Sequence, residues 1–204
     1  ASDSKVLFAD VLRDVIAERE AVVIVNADII NAVVAHCDLK SPIQVSFDSR
    51  QVRFRQDGIE IQGRLIEGKF PRYETVIPKN NNRIAVISRS TLAAAIKRVS
   101  ISANKATNQI KMRFNGSSSL TLEASDIDFS LQSRMKINTE KQENFPGEHL
   151  LGVRASFFLS VLGTFGKEVA EITMLLGEPT RAMLIKSDID SDRVALIMPM
   201  QIVD

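Results

Sequence analysis

Cysteine is almost absent from this 204-residue sequence, in which Cys37 is the only one. An intrachain disulfide is therefore impossible, and the composition fits a reducing compartment. No apolar run approaches the roughly 20 residues that span a bilayer. The chain also does not start with a basic segment followed by an apolar stretch, which would be typical of a secretion signal. We expect neither a membrane segment nor a membrane partner.

The sequence also lacks an excess of charge of either sign. Lysine and arginine total 26 against 25 aspartate and glutamate residues, which gives a net charge of +1. This balance does not by itself indicate a nucleic-acid-binding protein, so any DNA contact must come from local clusters of basic residues. The remaining composition, 45% hydrophobic and 25% charged, is typical of a globular protein of one or two domains.

What the sequence does contain is an internal repeat. The stretch Val25-Asn26-Ala27-Asp28-Ile29-Ile30 is similar to Val153-Arg154-Ala155-Ser156-Phe157-Phe158, at an offset of 128 residues. Both copies continue with apolar residues at helical spacing. Alternating segments typical of strands follow each predicted helix, at 43–47, 52–55 and 59–61 in the first copy and at 171–174, 182–185 and 194–200 in the second.

A third module of the same kind lies between the two copies. It has a predicted strand at 84–87, a helix at 91–99 with Ser88 or Ser90 as its N-cap, and strands at 110–114 and 120–124 around the turn Asn115-Gly116. Ala1-Ser2-Asp3 also matches Ala124-Ser125-Asp126 at an offset of 123 residues. We predict an α+β fold with one complete domain at 83–204, preceded at 1–82 by the later part of a similar domain and a linker.

Three segments carry a resemblance to a known family. The stretch RLIEGKFPRYETVIPK at 64–79 has a hydrophobic pair, an acidic residue, Gly, a basic residue, Phe-Pro, a Tyr two residues on, and Val-Ile-Pro. Met198-Pro199-Met200 closes the last predicted strand, and Ala1-Ser2-Asp3-Ser4-Lys5-Val6-Leu7 opens the chain. In this order and spacing the chain resembles the C-terminal part of the bacterial sliding clamps, the beta subunits of DNA polymerase III.

The resemblance implies a DNA-clamp fold, in which helices line a channel and sheets lie outside. It implies a cytoplasmic, non-catalytic processivity factor that needs no cofactor and no metal. Its partners would be double-stranded DNA, the replicative polymerase, the clamp loader and other proteins with a clamp-binding motif. The full-length form would be a homodimeric ring. Residues 1–82 would be the C-terminal part of the middle clamp domain with a linker, and 83–204 the complete last domain.

The resemblance also implies a hydrophobic pocket for partner peptides. The positions that match it are Ser2, Ser4, Lys5, Leu7, Pro71, Thr75, Val76, Leu196, Met198, Pro199 and Met200. Methionine suits such a pocket because its flexible thioether adapts to different peptides. The residues alone favour the plainer interpretation that Met198, Pro199 and Met200 finish a strand and pack, and the resemblance reverses this preference. Lys5 and Ser4 depart from the family, which usually has His and Gly or Thr there, so peptide specificity can differ.

The DNA-facing set implied by the resemblance is Lys97, Arg98, Lys105, Arg154 and Lys167, on or beside two predicted helices. Basic side chains on channel helices can contact phosphates without reading bases. The alternative is an ordinary solvated helix face. The first repeat helix starts Asn26-Ala27-Asp28, where the family often has Pro followed by basic residues, so we expect less DNA contact from that helix.

An enzyme is the third class that we consider. His36-Cys37-Asp38 places a thiol next to an imidazole, but adjacent helical residues point about 100° apart, so a buried structural cysteine is the favoured interpretation. Asp188, Asp190 and Asp192 start like a calcium-binding loop that then lacks the required Gly and Glu. His149 is predicted to be a surface residue. The main alternative to a processivity factor is a truncated clamp-like regulator that binds peptides without encircling DNA.

Overall fold

The computed structural model describes residues 1–3, 5–12, 15, 20–187, 189 and 192–202. The helices in these ranges are α1 (Ala27–His36), α2 (Arg89–Val99) and α3 (Ala155–Thr164), with single 3-10 turns at Tyr73–Thr75 and Ser100–Ser102. The strands are β1 (Val6–Ala9), β2 (Gln44–Phe47), β3 (Gln51–Gln56), β4 (Ile59–Arg64), β5 (Arg83–Ser88), β6 (Gln109–Phe114), β7 (Ser119–Asp126), β8 (Leu131–Asn138), β9 (Lys141–Glu143), β10 (His149–Arg154), β11 (Glu171–Leu176), β12 (Met183–Lys186) and β13 (Val194–Ile197).

The chain divides into two compact units. The larger unit contains 1–12 and 73–204, and the smaller contains 13–72. This division differs from the predicted domains, which placed 1–82 together. The physical reason is that β1 forms an antiparallel ladder with β13, in which Leu7 lies opposite Leu196. Arg193 also forms an ion pair with Asp10 at 2.8 Å. Such long-range pairing leaves no local signal in the sequence.

The larger unit has two antiparallel sheets, with strand orders β1-β13-β12-β11-β5-β9 and β10-β6-β7-β8. Helix α2 packs against β5, β7 and β8, while α3 packs against β10, β1 and β13, and the two helices contact each other. Their apolar faces, with Leu92 and Ile96 on α2 and Phe158 and Leu162 on α3, are fully buried in one continuous core. Each such side chain contributes about 1.5–3 kcal/mol through burial.

The smaller unit consists of α1 and the antiparallel sheet β2-β3-β4. Asn26 caps α1 by accepting a hydrogen bond from the Asp28 backbone N–H at 2.9 Å. Asp57 (φ 45°) and Gly58 (φ 84°) make the tight turn between β3 and β4, which confirms the predicted Gln56-Asp57-Gly58 turn. Val33, Cys37, Val52 and Phe54 form its buried core.

Most predicted elements are confirmed within two or three residues. Ser88, rather than Ser90, is the N-cap of α2 and accepts a hydrogen bond from the Thr91 N–H. The predicted strand 194–200 was too long, because the β1 and β12 ladders end at Ile197. None of the helices in the described ranges is long and apolar enough to cross a membrane.

Candidate functional site

A row of three leucines crosses the six-stranded sheet on the face away from the main core. Leu7 and Leu184 both lie opposite Leu196 in the strand registers. Successive strand side chains point to opposite faces, so their neighbours Phe8, Ile185 and Ala195 belong instead to the main core. The row and Ala182 are at most 5% exposed and form a separate hydrophobic cluster, which we call the leucine cluster.

The linker before β5 covers part of the leucine cluster. Tyr73 and Ile77 pack against it and remain half-buried. Between them, the Val76 N–H donates to the Tyr73 carbonyl at 3.1 Å, which closes a tight turn. This turn leaves Thr75 exposed and Val76 57% exposed at the rim of the cluster. The structure therefore brings the predicted positions Thr75 and Val76 to the same surface as Leu7 and Leu196.

Met198, Pro199 and Met200, which we call the methionine segment, leave the end of β13. The Met198 N–H donates to the Lys5 carbonyl at 2.9 Å, and the Met200 N–H donates to the Gly152 carbonyl at 2.8 Å. The segment therefore runs from the start of β1 to β10. Met198 is 38% exposed, and Lys5 is exposed beside it. Met198 is the accessible residue of this segment, whereas Pro199 and Met200 are half-buried.

The other predicted pocket positions are distributed as follows. Ser2 forms a bridge with Leu7, and its hydroxyl donates to the Val6 carbonyl at 3.0 Å. Pro71 is exposed and belongs to the smaller unit. Ser4 lies outside the described residues.

A groove of about 300 Å³ lies between β1 and α3, on the helix side of the sheet. Its lining includes Ser2, Val6 and Phe8 from the start of the chain and Phe157 and Ser160 from α3. Phe157 was not predicted to be a site residue. The adjacent Phe157-Phe158 pair was a signal, because neighbouring helical positions point in different directions and both cannot enter the core. Only Phe158 is fully buried.

Arg154 lies at the N-cap of α3, and its guanidinium carbon is 5.2 Å from the centroid of the Phe157 ring. The other predicted DNA-facing residues are exposed. Lys97 and Arg98 lie in the last turn of α2, and Lys167 follows α3. Lys105 follows the 3-10 turn after α2, with its ammonium 5.8 Å from the Phe129 ring centroid. The structure therefore separates Arg154, which is half-buried, from these four.

A profile of the family described as DNA polymerase III beta subunit, C-terminal domain, matches residues 74–201, which is more than half of the chain. The chain belongs to the DNA polymerase III beta subunit family. The Beta sliding clamp of Pseudomonas aeruginosa is 22% identical over 186 residues, or 91% of this chain and 48% of that protein. The Beta sliding clamp of Haemophilus influenzae is 25% identical over 169 residues, or 79% of this chain and 42% of that protein.

Solved structures from this family share the fold. A DNA polymerase sliding clamp from Pseudomonas aeruginosa superposes with a TM-score of 0.87 at 21% identity, covering 99% of this chain and 54% of that one. One from Bacillus subtilis has a TM-score of 0.90 at 19% identity, covering 100% and 53%. The predicted α+β DNA-clamp fold is therefore confirmed. The chain spans about half the length of the curated relatives that it matches.

The residues considered for catalysis, around Cys37, differ in how deeply they are buried. Cys37 is 9% exposed within the core of the smaller unit, which confirms its interpretation as a buried cysteine, whereas His36 is exposed. Hydrogen bonds from the Lys40 backbone and then the Ser41 hydroxyl lower the pKa of Asp38. No cluster of metal-ligating side chains occurs in the described ranges. Asp188 and Asp190 lie outside them.

Proposed function

We propose that this protein is a DNA polymerase processivity factor, a sliding clamp that tethers the replicative polymerase to double-stranded DNA. It acts in the cytoplasm as a non-catalytic subunit of the polymerase holoenzyme. The observation that carries this proposal is the buried row Leu7, Leu196 and Leu184 ending at the exposed Met198, in a chain that belongs to the beta subunit family. A protein that holds partners in this way needs an apolar docking surface and no reactive side chain.

The leucine cluster and the methionine segment form the proposed docking surface for partner peptides. A buried apolar floor with flexible methionines at its edge can accept the anchor residues of different peptides. The replicative polymerase, the clamp loader and other proteins with a clamp-binding motif would share this surface. Its proposed residues are Ser2, Ser4, Lys5, Leu7, Pro71, Thr75, Val76, Leu196, Met198, Pro199 and Met200.

The docking surface is tested by titrating a fluorescent clamp-binding peptide and recording its anisotropy. Val76→Ala and Met198→Ala are suitable changes because both side chains are exposed, so the fold should be unaffected. We expect each to weaken binding roughly fivefold or more, which corresponds to loss of about 1 kcal/mol. Ile127→Ala, which removes an even more exposed apolar side chain (77%) from the β7–β8 turn, is the control. Equal affinity in all four proteins would disprove the assignment.

DNA contact is proposed for Lys97, Arg98, Lys105 and Lys167, which can neutralise phosphates without reading bases. Affinity for duplex DNA should then fall with salt, because phosphate contacts release counterions. The double variant Lys97→Gln, Arg98→Gln should reduce the slope of log K against log salt by roughly 2. Lys40→Gln, which removes one exposed positive charge from the smaller unit, is the control and should leave the slope unchanged. Duplex binding that is insensitive to salt would contradict this mode.

We assign 1–82 to the C-terminal part of the middle clamp domain with its linker, and 83–204 to the last clamp domain. The proposed full-length assembly is a homodimeric ring with helices lining the channel and sheets outside. The packing of α2 against α3, with the sheets on their other sides, supports this arrangement for the last domain.

A further inference from the structure

Arg154 is unusual among the half-buried arginines of the larger unit. Arg83 donates to the Gly177 carbonyl at 2.8 Å, and Arg89 to the Val169 carbonyl at 2.9 Å. Arg113 pairs with two glutamates and Arg193 with Asp10. Arg154 pairs with no acceptor in the described part of the chain, and its Nε atom is buried without a hydrogen-bond partner.

A half-buried guanidinium without acceptors is destabilising, because it loses hydration and receives nothing in exchange. The Phe157 ring accounts for the position of the Arg154 guanidinium, but it leaves the buried Nε–H without an acceptor. A ligand that supplies acceptors would remove this cost. The unsatisfied Nε–H group of Arg154 therefore indicates that a ligand binds here. The planar guanidinium matches a carboxylate, which can accept two parallel hydrogen bonds from it.

No acid among the described residues forms an ion pair with Arg154. Asp3, which lines the groove, directs its Oδ1 atom to the Lys5 and Val6 N–H groups at 3.0 and 2.8 Å. The first amides of α3 are also satisfied. The Ala155 N–H donates to the Asn108 carbonyl, and the Ser156 N–H donates to the Asn108 side chain, both at 2.8 Å. Anion binding here must therefore come from the guanidinium rather than from the helix end.

Two features place Arg154 beside the proposed docking surface. Phe157, the ring under the guanidinium, also lines the groove between β1 and α3 together with Ser2. On the other side, the methionine segment bonds to Gly152, two residues before Arg154 in β10. Arg154 therefore contacts one residue of the groove, Phe157, and belongs to the strand that the methionine segment bonds.

We infer that Arg154 binds a carboxylate of the partner peptide, an Asp or Glu side chain, while an adjacent apolar side chain of that peptide packs in the groove against Phe157. This inference rests on the proposed peptide-binding function and assigns its charge specificity. A peptide fits better than DNA because the guanidinium is half-buried over an aromatic ring, whereas phosphates of a duplex meet exposed cations such as Lys97. Arg154 is thus separated from the DNA-facing set.

The test uses fluorescent hexapeptides that share the same three apolar anchor residues. One Asp is placed in turn at each remaining position, and each Asp peptide has an Asn counterpart. Affinities are measured for the wild type, Arg154→Gln, Arg154→Lys and Lys97→Gln, and each protein is also titrated with duplex DNA over a salt series. Lys97→Gln is the matched control because it removes an exposed charge from α2.

At one position, the wild type should prefer Asp over Asn roughly tenfold, the scale of a charge-assisted hydrogen bond in a partly exposed site. Arg154→Gln should abolish this preference and still bind the Asn peptide. Arg154→Lys should retain little of it, because it keeps the charge but loses the planar fork. Lys97→Gln should keep the preference and lower the salt slope for duplex DNA, which Arg154→Gln should not change.

Equal affinities for Asp and Asn peptides at every position would overturn the inference while leaving the proposed function intact, provided that Met198→Ala still weakens binding. A lower salt slope in Arg154→Gln, with the Asp preference unchanged, would also overturn it and return Arg154 to the phosphate contacts. Failure of every peptide to bind the wild type would instead count against the proposed function, and the inference would fall with it.

Discussion

His149 shows how much the surroundings of a single residue can depend on distant segments. Its ring lies 6.4 Å from the Phe114 ring and 6.0 Å from the Phe145 ring, and it is 6% exposed. The prediction of a surface histidine was wrong. The sequence around His149 does not predict its contact with Phe114 of β6 and with Phe145, which precedes β10. The charge of Arg83 is also near it.

Burial, followed by the charge of Arg83, lowers the pKa of His149 below its ordinary value. The unfolded chain therefore binds this proton more readily than the folded protein does. The stability from neutral His149 is complete above its ordinary pKa and is lost as the pH falls toward the lowered one. His149→Gln should lose less stability than the wild type between pH 7.5 and pH 5.

Urea unfolding at the two pH values measures this difference. Tyr73 is the only tyrosine, the sequence has no tryptophan, and Tyr73 lies in the larger unit, so its fluorescence reports on the unit that contains His149. His36→Gln is the matched control because His36 is exposed on α1. A pH dependence in His149→Gln equal to that of the wild type would refute the role of this histidine.

The same limit applies to the candidate site. Leu196 and Met198 could be placed at a site because a resemblance to a family covered them. Phe157 was not predicted, and the resemblance placed Arg154 with the DNA-facing residues, since the groove and the unsatisfied Nε–H of Arg154 exist only after α3 has packed beside β1. Adjacent aromatics at a helix start were the one local signal.

At the scale of elements, apolar periodicity predicted α1, α2 and α3 well, because each helix buries one face. Strand β8 was missed although Met135 and Ile137 alternate with charged residues, and the short β9 carries no apolar pattern. The two copies of the repeat also differ in how deeply their helices are buried. Ile30 and Val34 are 41% and 55% exposed, whereas their counterparts Phe158 and Leu162 are at most 2% exposed.

The reason is that α3 packs against α2, while α1 has no partner helix among the described residues of its unit. The capping of the helices also differs. The N-cap residue Arg154 makes no side-chain capping bond to α3. Asn108, in a distant loop, supplies the cap by accepting a hydrogen bond from the Ser156 N–H, and its own backbone has φ +50°. Asparagine tolerates this left-handed conformation better than most residues.

Asn108 therefore permits a graded test of an element boundary. Asn108→Gly removes the side-chain acceptor but keeps the easy left-handed backbone, and should cost about 1 kcal/mol. Asn108→Ala removes the acceptor and adds backbone strain, so its cost should be larger by about 1 kcal/mol. Urea unfolding followed by Tyr73 fluorescence gives both values. Equal costs for the two variants would contradict the proposed contribution of φ.

At the scale of the whole molecule, the two compact units have cores of different size. The larger core includes Leu92, Ile110, Phe114 and Phe158 among many fully buried residues. Among the described residues of the smaller unit, the buried core consists of Val33, Cys37, Val52 and Phe54. Stability from burial grows with apolar area removed from water, so the smaller unit should be the less stable one.

The single tyrosine and the single cysteine allow each unit to be followed separately. Cys37 reports on the smaller unit through the rate of its alkylation, and Tyr73 on the larger unit through fluorescence. We expect Cys37 to become reactive at a lower urea concentration than that at which Tyr73 fluorescence changes. Coincident transitions would show that the units unfold as one cooperative structure.

The most direct test of the account is whether the protein holds DNA by encircling it. The subunit from its native source, with its clamp loader, is loaded on a nicked circular plasmid, and its retention is measured before and after a restriction enzyme linearises the DNA. A processivity factor predicts retention on the circle and rapid loss from the linear form. Equal dissociation from circular and linear DNA would contradict topological tethering and favour a regulator that binds peptides alone.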